Sequence, residues 1–365
     1  MDLAGSKNMN TPFSVAAWTV IVLLAPALSS GAERVISPEE GAQAALGKEL
    51  FFDESLSVDG KVACGTCHLS EAAFAGRDAI AHGAFGKAGT RNAPSLLGLT
   101  YVSEFFWDGR RASLEALVLD PLITVVEHGY PDIQSALSAV RARHAAGFAR
   151  IFPVEGVTPE TVAAVLSAYV RSLESGPSAF ERYSTGEANA LSPSQRRGFS
   201  LFIGRAACSR CHHLDGGRFT DGAYHVGEMA ADLASRLAAA AQDISHMSLE
   251  ERQARILERV DVAALGRYVV TLRPADIGRF RTPSLRNVAL TAPYMHDGSV
   301  PTLAGAVERE LYYHAGNGVR VGDLTPADRA DLVAFLQTLT SSETPRAAAV
   351  VGPPTHPSPS KRTAQ

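Results

Sequence analysis

Two pentapeptides, Cys-Gly-Thr-Cys-His at residues 64–68 and Cys-Ser-Arg-Cys-His at residues 208–212, dominate the sequence. Both have the form C-x-x-C-H, at which haem c is attached. Two thiols three residues apart can add to the vinyl groups on one porphyrin edge, and the next histidine supplies a nitrogen to the iron. Zinc sites and disulfides predict other spacings, and the two motifs use all four cysteines. The predicted attachment residues are Cys64, Cys67, His68, Cys208, Cys211 and His212.

The composition is that of an ordinary globular protein with room for two domains. The chain has 365 residues, of which 46% are hydrophobic and 20% are charged. Its formal net charge of -4 argues against a nucleic-acid-binding surface and is compatible with a basic electron-transfer partner.

The two ends of the chain are expected to lie outside the fold. An apolar run at residues 12–28 follows Lys7, and small residues at Ser30 and Ala32 suit cleavage after Ala32. A retained membrane anchor is the alternative, although about 17 apolar residues are marginal for a bilayer span. We expect a signal peptide at residues 1–32 and a periplasmic protein, because haem c is attached outside the bacterial cytoplasm. Residues 343–365 are rich in Pro, Ser and Ala and are expected to form a disordered tail.

The remaining sequence contains two copies of one unit. Each haem motif is followed by a Pro-Ser-Leu segment and then by an Asp-Gly pair. Pro94 and Gly109 are 15 residues apart, as are Pro283 and Gly298. Helical patterns dominate both copies, so we predict a mainly α protein with two tandem cytochrome c-like haem domains and long loops. The expected domains are residues 33–180 and 181–342, and the predicted helices include Leu114–Leu119, Asp132–Arg143, Pro159–Leu173, Leu249–Leu272 and Pro326–Leu339.

The second copy contains an insertion at about residues 229–268. Its Ala-, Arg- and Glu-rich pattern predicts an added helical hairpin. A solvated insertion and a docking surface for a partner protein are both compatible with this pattern.

The copies also differ fourteen residues past Trp107 and His296, where the first has Pro121 and the second has Glu310. Proline has no group that can bind iron, whereas the segment around Glu310 offers several. One iron is therefore expected to be capped, and the other to stay open to a small oxidant. Two valines precede Glu127, so we expect a partly buried carboxyl with a raised pKa, suited to moving a proton between the oxygens of peroxide.

These motifs resemble those of the bacterial di-haem cytochrome c peroxidase and MauG superfamily, over nearly all of residues 37–340. The resemblance implies that His68 is the proximal ligand of a peroxide-reactive haem in the N-terminal domain. It implies that His212 has this role for an electron-transfer haem in the C-terminal domain. Trp107 would pass electrons between the haems, and Glu127 would be the distal acid–base residue. The matching segments besides the haem motifs are Arg91–Pro94, Phe106–Arg110, Val126–Glu127, Pro283–Val288 and Ala292–Gly298.

The resemblance implies further ligands. Asn92, Thr291 and Pro293 would surround a calcium ion between the domains, and His82 would cap the reactive haem in the resting oxidised state. Typical peroxidases of the superfamily use a methionine as the sixth ligand of the second haem. None of the five methionines here is at that position. Tyr313 is similar to the tyrosine ligand of the MauG branch and is the favoured sixth ligand.

The leading hypothesis is a periplasmic di-haem c-type peroxidase that reduces hydrogen peroxide with electrons from a small redox protein, a cytochrome c or a cupredoxin. One alternative is a MauG-like enzyme that oxidises side chains of a partner protein through a high-valent di-haem state. A second is a non-enzymatic di-haem electron carrier. The expected cofactors are two covalently bound haems c and Ca²⁺. The resemblance is compatible with a homodimer, and we expect no nucleic-acid partner and no membrane span after processing.

Overall fold

The computed structural model describes residues 37–226, 231–315, 323–342 and 346–347. The fold is mainly helical, as predicted. The helices are α1 (Pro38–Phe51), α2 (Cys64–Cys67), α3 (Leu114–Ile123), α4 (Ile133–Ile151), α5 (Pro159–Ser172), α6 (Ala179–Ser184), α7 (Pro193–Ile203), α8 (Ala231–Ile244), α9 (Leu249–Glu258), α10 (Val260–Ala263), α11 (Tyr268–Thr271), α12 (Leu303–His314) and α13 (Pro326–Gln337). The strands are β1 (Leu173–Glu174), β2 (Tyr224–Val226), β3 (Arg279–Arg281) and β4 (Arg346–Ala347), in the antiparallel pairs β1–β4 and β2–β3.

The two terminal segments that were expected to lie outside the fold are described only in small part by the structure. The expected signal peptide at residues 1–32 lies outside the described residues. Strand β4 lies inside the segment expected to be a disordered tail, and it pairs with β1. Across the described ranges, no helix is long and apolar enough to cross a bilayer.

Each half has an apolar core on an equivalent pair of helices. Helix α1 packs on α5 in the first half, and α7 packs on α13 in the second. Both α1 and α7 begin with a capping box and a proline in the first turn. Gly47 and Gly198 allow the close approach, because a Cβ at either would lie 1.9 Å from a carbonyl oxygen of the partner helix.

The predicted helix Leu249–Leu272 is wrong in extent. The chain forms α9, α10 and α11 instead, because Arg259 has extended backbone angles and Gly266 has a φ of 58°. A Cβ at Gly266 would lie 2.2 Å from the Arg279 carbonyl oxygen, so this break is fixed by the close approach of β3. The simple hairpin expected for the insertion is therefore a cluster of short helices.

This inserted cluster is packed rather than solvated. Helices α8 to α11 share a core that includes Leu237, Ile244 and Ile256. The Ile256 carbonyl oxygen accepts a hydrogen bond from Thr90 of the first half. Arg91 donates to the Ala263 carbonyl oxygen at 2.7 Å. The insertion thus bridges the two halves of the chain.

The two Asp-Gly turns, at residues 108–109 and 297–298, interlock the halves. Gly109 has a φ of 71°, and a Cβ there would lie 1.8 Å from the Tyr224 hydroxyl oxygen of the second half. Gly298 has a φ of 63°, and its Cβ would lie 2.4 Å from the Ala79 Cα of the first half. Only glycine fits either position, because both the backbone angle and the space exclude a side chain.

Arg267 adds a polar connection to the first of these turns. Its guanidinium donates to the Asp108 and Gly109 carbonyl oxygens at 3.0 and 3.1 Å. It also pairs with Glu104 at 2.7 Å and lies over the Tyr224 ring. The halves are therefore held together beside Trp107, the residue that precedes the first turn.

Candidate functional site: two histidine–cysteine motifs

The first C-x-x-C-H motif forms the single turn α2 and places His68 at its C-terminal end. The His68 amide donates to the Cys64 carbonyl oxygen at 2.9 Å. The Nδ1 atom of His68 lies 3.0 Å from the Phe74 carbonyl oxygen. Because Nδ1 donates to this oxygen, the Nε2 lone pair is left for a metal. Burial lowers the pKa of His68, so the ring is neutral at pH 7.

The second motif repeats this geometry. The His212 amide donates to the Cys208 carbonyl oxygen at 3.0 Å, and Nδ1 lies 2.9 Å from the Phe219 carbonyl oxygen. Phe74 and Phe219 have positive φ values of 56° and 50°. In each motif, a phenylalanine with a positive φ therefore provides the carbonyl oxygen that pairs with the histidine. Both rings are fixed in the tautomer that presents Nε2.

The residues of both motifs fit haem c. No disulfide joins the two cysteines of either motif, although they are only three residues apart. Burial, the neighbouring Cys67 and Glu127 raise the pKa of Cys64 to about 12. Burial also raises the pKa of Cys208 to about 12. Two thiols and one imidazole that presents Nε2 are, in each motif, the groups that haem attachment and axial ligation require.

Glu127 lies beside the first motif. Its charge contributes to the raised pKa of both Cys64 and Cys67, and the next residue, His128, has its Nε2 atom 3.9 Å from the Cys64 sulfur. Burial raises the pKa of Glu127 itself to about 7, while Arg110 lowers it and Asp120 raises it. A carboxyl group with a pKa near 7 can accept and return a proton at neutral pH.

Sequence reasoning missed a buried ion cluster at Asp108. This carboxylate is 0% exposed and pairs with Arg91 at 2.6 Å and with Arg110 at 3.1 Å. Burial opposes ionisation, but Arg110 and Arg91 together lower the pKa of Asp108 to about 2. Asp108 and Phe106, whose ring lies 3.4 Å under the guanidinium, thus fix Arg110 beside Glu127. The sequence segment that could have indicated this cluster is Phe106–Arg110, which matches a family motif.

His82 lies on a loop that packs directly on the Glu127 segment. The Ala84 amide donates to the Glu127 carbonyl oxygen at 2.7 Å. A Cβ at Gly83 would lie 2.1 Å from the Val126 carbonyl oxygen. The His82 side chain itself is exposed. The loop is therefore next to Glu127 through its backbone, and a capping role for His82 stays a prediction.

Trp107 is connected to both halves by hydrogen bonds. Its Nε1 donates to the Asn92 carbonyl oxygen at 3.0 Å, and its own carbonyl accepts from the Arg281 amide at 2.9 Å. The Asn92 amide in turn donates to the His296 carbonyl oxygen at 2.9 Å. This location between the halves suits the electron-transfer role that is expected for Trp107.

The three expected calcium residues present a donor set made only of oxygen. Asn92 is 6% exposed, and its Nδ2 donates to the Asp78 carbonyl oxygen at 3.1 Å, which leaves Oδ1 for a cation. The Asn92–His296 backbone bond brings Asn92 against the segment that contains Thr291 and Pro293. Amide and carbonyl oxygens suit a hard cation such as Ca²⁺.

His128 is a buried neighbour of the first motif to which the sequence assigned no role. It is 2% exposed, and its Nδ1 lies 2.8 Å from the Leu56 carbonyl oxygen. Its Nε2 lies 3.9 Å from the Cys64 sulfur. His128 therefore packs against the first motif beside the Cys64 thiol.

Tyr313, the favoured sixth ligand of the second iron, is partly buried near the C-terminal end of α12. Its ring lies 5.8 Å from the Arg309 guanidinium carbon and 5.1 Å from the Tyr312 ring. Helix α12 contains no methionine that could take this role. Met247 packs in the insertion, and Met295 directly precedes His296. Ligation by Tyr313 stays a prediction.

Comparison with known proteins agrees with this geometry. The family model described as di-haem cytochrome c peroxidase matches residues 41–189. Cytochrome-c peroxidase IdrP1 of Pseudomonas sp. (strain SCT) is 32% identical over 84% of this chain and 83% of its own. Methylamine utilization protein MauG of Methylorubrum extorquens is 32% identical over 83% of this chain and 79% of its own. A crystal structure of a MauG-like protein associated with microbial copper homeostasis has a TM-score of 0.65 and 29% identity, covering 89% of this chain and 95% of that chain. The chain belongs to the di-haem cytochrome c peroxidase and MauG family.

Proposed function

We propose that the protein reduces hydrogen peroxide to water at the first motif, with electrons that enter singly at the second. When bound, haem would supply an iron that binds peroxide at His68 and an electron store at His212. The observation that carries the proposal is Glu127, a partly buried carboxyl beside Cys64 and Cys67 with a pKa near 7. A carrier of electrons alone has no use for such a group.

Glu127 is proposed to move one proton between the two oxygens of peroxide. Its carboxylate accepts the proton of the near oxygen and returns it to the far oxygen, which leaves as water. Arg110 keeps part of the Glu127 population ionised, because its charge lowers the carboxyl pKa. Two electrons and two further protons complete the reduction of peroxide to two water molecules.

Trp107 is proposed to couple the two sites. Its indole donates to one half and its carbonyl accepts from the other, so movement of either half would change its position. A calcium ion held by Asn92, Thr291 and Pro293 would stiffen the same junction, because Asn92 is the acceptor of the Trp107 indole.

The electron donor is proposed to be a small periplasmic redox protein, a cytochrome c or a cupredoxin. The periplasmic location of the protein and its donor is inferred from the expected signal peptide and from haem attachment outside the cytoplasm. Haem stoichiometry and cell fractionation of the mature protein test both statements.

The decisive experiment is steady-state peroxide consumption by the holoprotein with a reduced small cytochrome c. Turnover well above that of the free donor is expected, with two donor molecules oxidised per peroxide. Absence of turnover with both cytochrome and cupredoxin donors would exclude the peroxidase. Failure to bind cyanide at either iron, in the oxidised and half-reduced protein, would favour an electron carrier instead.

A MauG-like reaction on a partner protein is the second candidate. The specific observation in its favour is that α12 has tyrosines and no methionine where the sixth ligand of the second iron is expected. Here peroxide would oxidise the protein slowly, and one specific partner protein would discharge the oxidised form. Mixing the peroxide-treated protein with exported proteins of the same organism, followed by mass spectrometry of modified side chains, distinguishes this role from the first.

A further inference from the structure

Arg111 joins the inserted helices to helix α3 of the first half. Its Nη1 donates to the Oε1 atom of Gln253 in α9 at 2.9 Å. Its Nε and Nη2 lie 2.8 and 2.9 Å from the two carboxylate oxygens of Asp120 in α3. A bidentate pair of this kind fixes the orientation of both side chains. Arg111 is therefore held at two points, one on the insertion and one on α3.

The end of α3 holds the turn that contains Glu127. The Asp120 carbonyl oxygen accepts from the Thr124 hydroxyl at 2.8 Å, and the Thr124 carbonyl oxygen accepts from the Glu127 amide at 3.0 Å. The next amide, that of His128, donates to the Pro121 carbonyl oxygen at 3.1 Å. Two successive amides of the turn thus depend on the last residues of α3. The position of the Glu127 carboxyl therefore depends on where α3 ends.

The second half contains an equivalent turn without the arginine. Phe105 pairs with Arg111 in an antiparallel bridge before α3, and Tyr294 pairs with Val300 in the equivalent bridge before α12. Val300 is 8% exposed, and its apolar side chain cannot form an ion pair. The turn and the helix after it therefore form without an arginine at this position. The arginine is present in the half that contains the proposed acid–base residue.

Gln253 is placed to accept a hydrogen bond from the first half. Arginine has no acceptor atom, so the amide oxygen of Gln253 must face Arg111. Its Nε2 atom is buried and has no hydrogen-bond partner among the described residues. A buried donor without a partner destabilises a fold, whereas a methionine of similar size would avoid this loss. Stability of the insertion alone therefore does not explain the glutamine, and its contact with Arg111 does.

Arg91 gives the insertion a second connection to the same region. Its Nη2 donates to a carbonyl oxygen of α10 at 2.7 Å, and its Nη1 pairs with Asp108 at 2.6 Å. Asp108 in turn holds Arg110 at 3.1 Å. Burial has the largest effect on the pKa of Glu127; the charge of Arg110 then lowers it and that of Asp120 raises it. Both of these charged neighbours are therefore connected to the insertion through an arginine.

We propose that the insertion positions the acid–base residue Glu127 through the contact of Gln253 with Arg111. Both are positioning residues, because they act through the end of α3 and not on peroxide. The inserted helices of the second half thereby have a role at the first motif. This inference rests on the proposed acid–base role of Glu127 and assigns the part of the chain that supports it.

The test combines hydrogen–deuterium exchange of the resting holoprotein over residues 121–130 with steady-state peroxide kinetics. Gln253→Met removes the acceptor at nearly constant side-chain size, and Arg111→Met also removes the ion pair to α3. We expect faster exchange of the Glu127 and His128 amides in both variants, with the larger increase in Arg111→Met. We expect kcat to fall about 10-fold, because a displaced carboxyl transfers the proton less efficiently. KM should stay near the wild-type value, since only a transition-state contact is lost.

Gln242→Met is the matched control, since Gln242 is an exposed residue of α8 in the same insertion. Gln253→Glu retains an oxygen acceptor for Arg111, so it should keep exchange and kcat near the wild-type values. This rescue separates the contact from a general loss of packing. The proposal is overturned if Gln253→Met exchanges like the wild type over residues 121–130, or if Gln253→Met and Gln253→Glu lose kcat equally.

The exchange measurement also keeps this inference separate from the proposed function. It requires only the resting protein, whereas the kinetics require peroxide turnover. A wild type without turnover would overturn the proposed function, and the exchange of Gln253→Met against Gln242→Met would then decide whether the insertion positions the turn.

Discussion

Glu127 is the residue on which the proposed chemistry depends. Replacement by Gln removes proton transfer but keeps size and polarity, so we expect peroxide turnover to fall by about 10²- to 10⁴-fold. Steady-state kinetics at fixed haem content measure this loss. Glu115→Gln is the matched control, since Glu115 is a partly buried α3 residue that pairs with Arg171. Equal turnover of Glu127→Gln and the wild type would contradict the assignment.

The pKa of Glu127 gives a pH dependence with a defined sign. The carboxylate form accepts the proton, so kcat/KM should rise with pH and level off above about 7. Arg110 lowers the Glu127 pKa, so Arg110→Gln should move this rise to higher pH. The pH profile of kcat/KM from 5 to 9 measures both effects. A rise that persists in Glu127→Gln would assign it to another group.

The loop at residues 82–89 packs directly on the segment that contains Val126 and Glu127. Gly83→Ala would place a Cβ 2.1 Å from the Val126 carbonyl oxygen, although the Gly83 backbone angles suit alanine. We expect a loss of about 1–3 kcal/mol in the free energy of unfolding. Urea denaturation measures this loss, and cyanide affinity reports the displaced loop.

Gly89→Ala is the control in the same loop. Its nearest atom would be the Ala81 carbonyl oxygen at 3.6 Å, which is ordinary van der Waals contact. Similar stability losses for the two variants would show that strain at Gly83 is relieved without moving the loop.

The inserted helices show how an element can be mispredicted. Helical periodicity over Leu249–Leu272 is continuous in sequence, but Gly266 adopts a positive φ because β3 passes within contact of its backbone. No local sequence pattern indicates this contact, because Arg279 approaches Gly266 only after the chain has folded.

At the scale of the molecule, Arg267 is the side chain that most clearly ties the insertion to the first half. Arg267→Met keeps the aliphatic stem but removes the bonds to Asp108 and Gly109. We expect a loss of about 1–3 kcal/mol in the free energy of unfolding, because the turn's carbonyl oxygens lose partners. Calorimetry measures it, with the exposed Arg255→Met as control.

Calcium removal is a second test at this scale. If Asn92, Thr291 and Pro293 hold Ca²⁺, a chelator should lower the melting temperature and slow electron transfer between the haems. Re-addition of Ca²⁺ should restore both, and Mg²⁺ should not, because it demands smaller octahedral geometry. Unchanged melting curves with and without chelator would remove calcium from the proposal.

Much of the site was predictable from the sequence because its chemistry is local. A thiol pair and a histidine within five residues define each haem motif, and the paired spacing to Gly109 and Gly298 reveals the repeat. The helix starts at Ser37 and Ser192 were likewise local, since a capping box is complete within four residues.

Other features needed the tertiary structure, because their partners are distant in sequence. Asp108 is buried between Arg91 and Arg110, and the burial that gives Glu127 a pKa near 7 comes from the packing around it. The insertion became a bridge between the halves only through contacts such as that of Thr90 with Ile256. Sequence alone determined which residues can bind haem, since covalent spacing decides that. The tertiary structure decided which charged groups are buried together, as at Asp108, since burial depends on packing between segments that are distant in sequence.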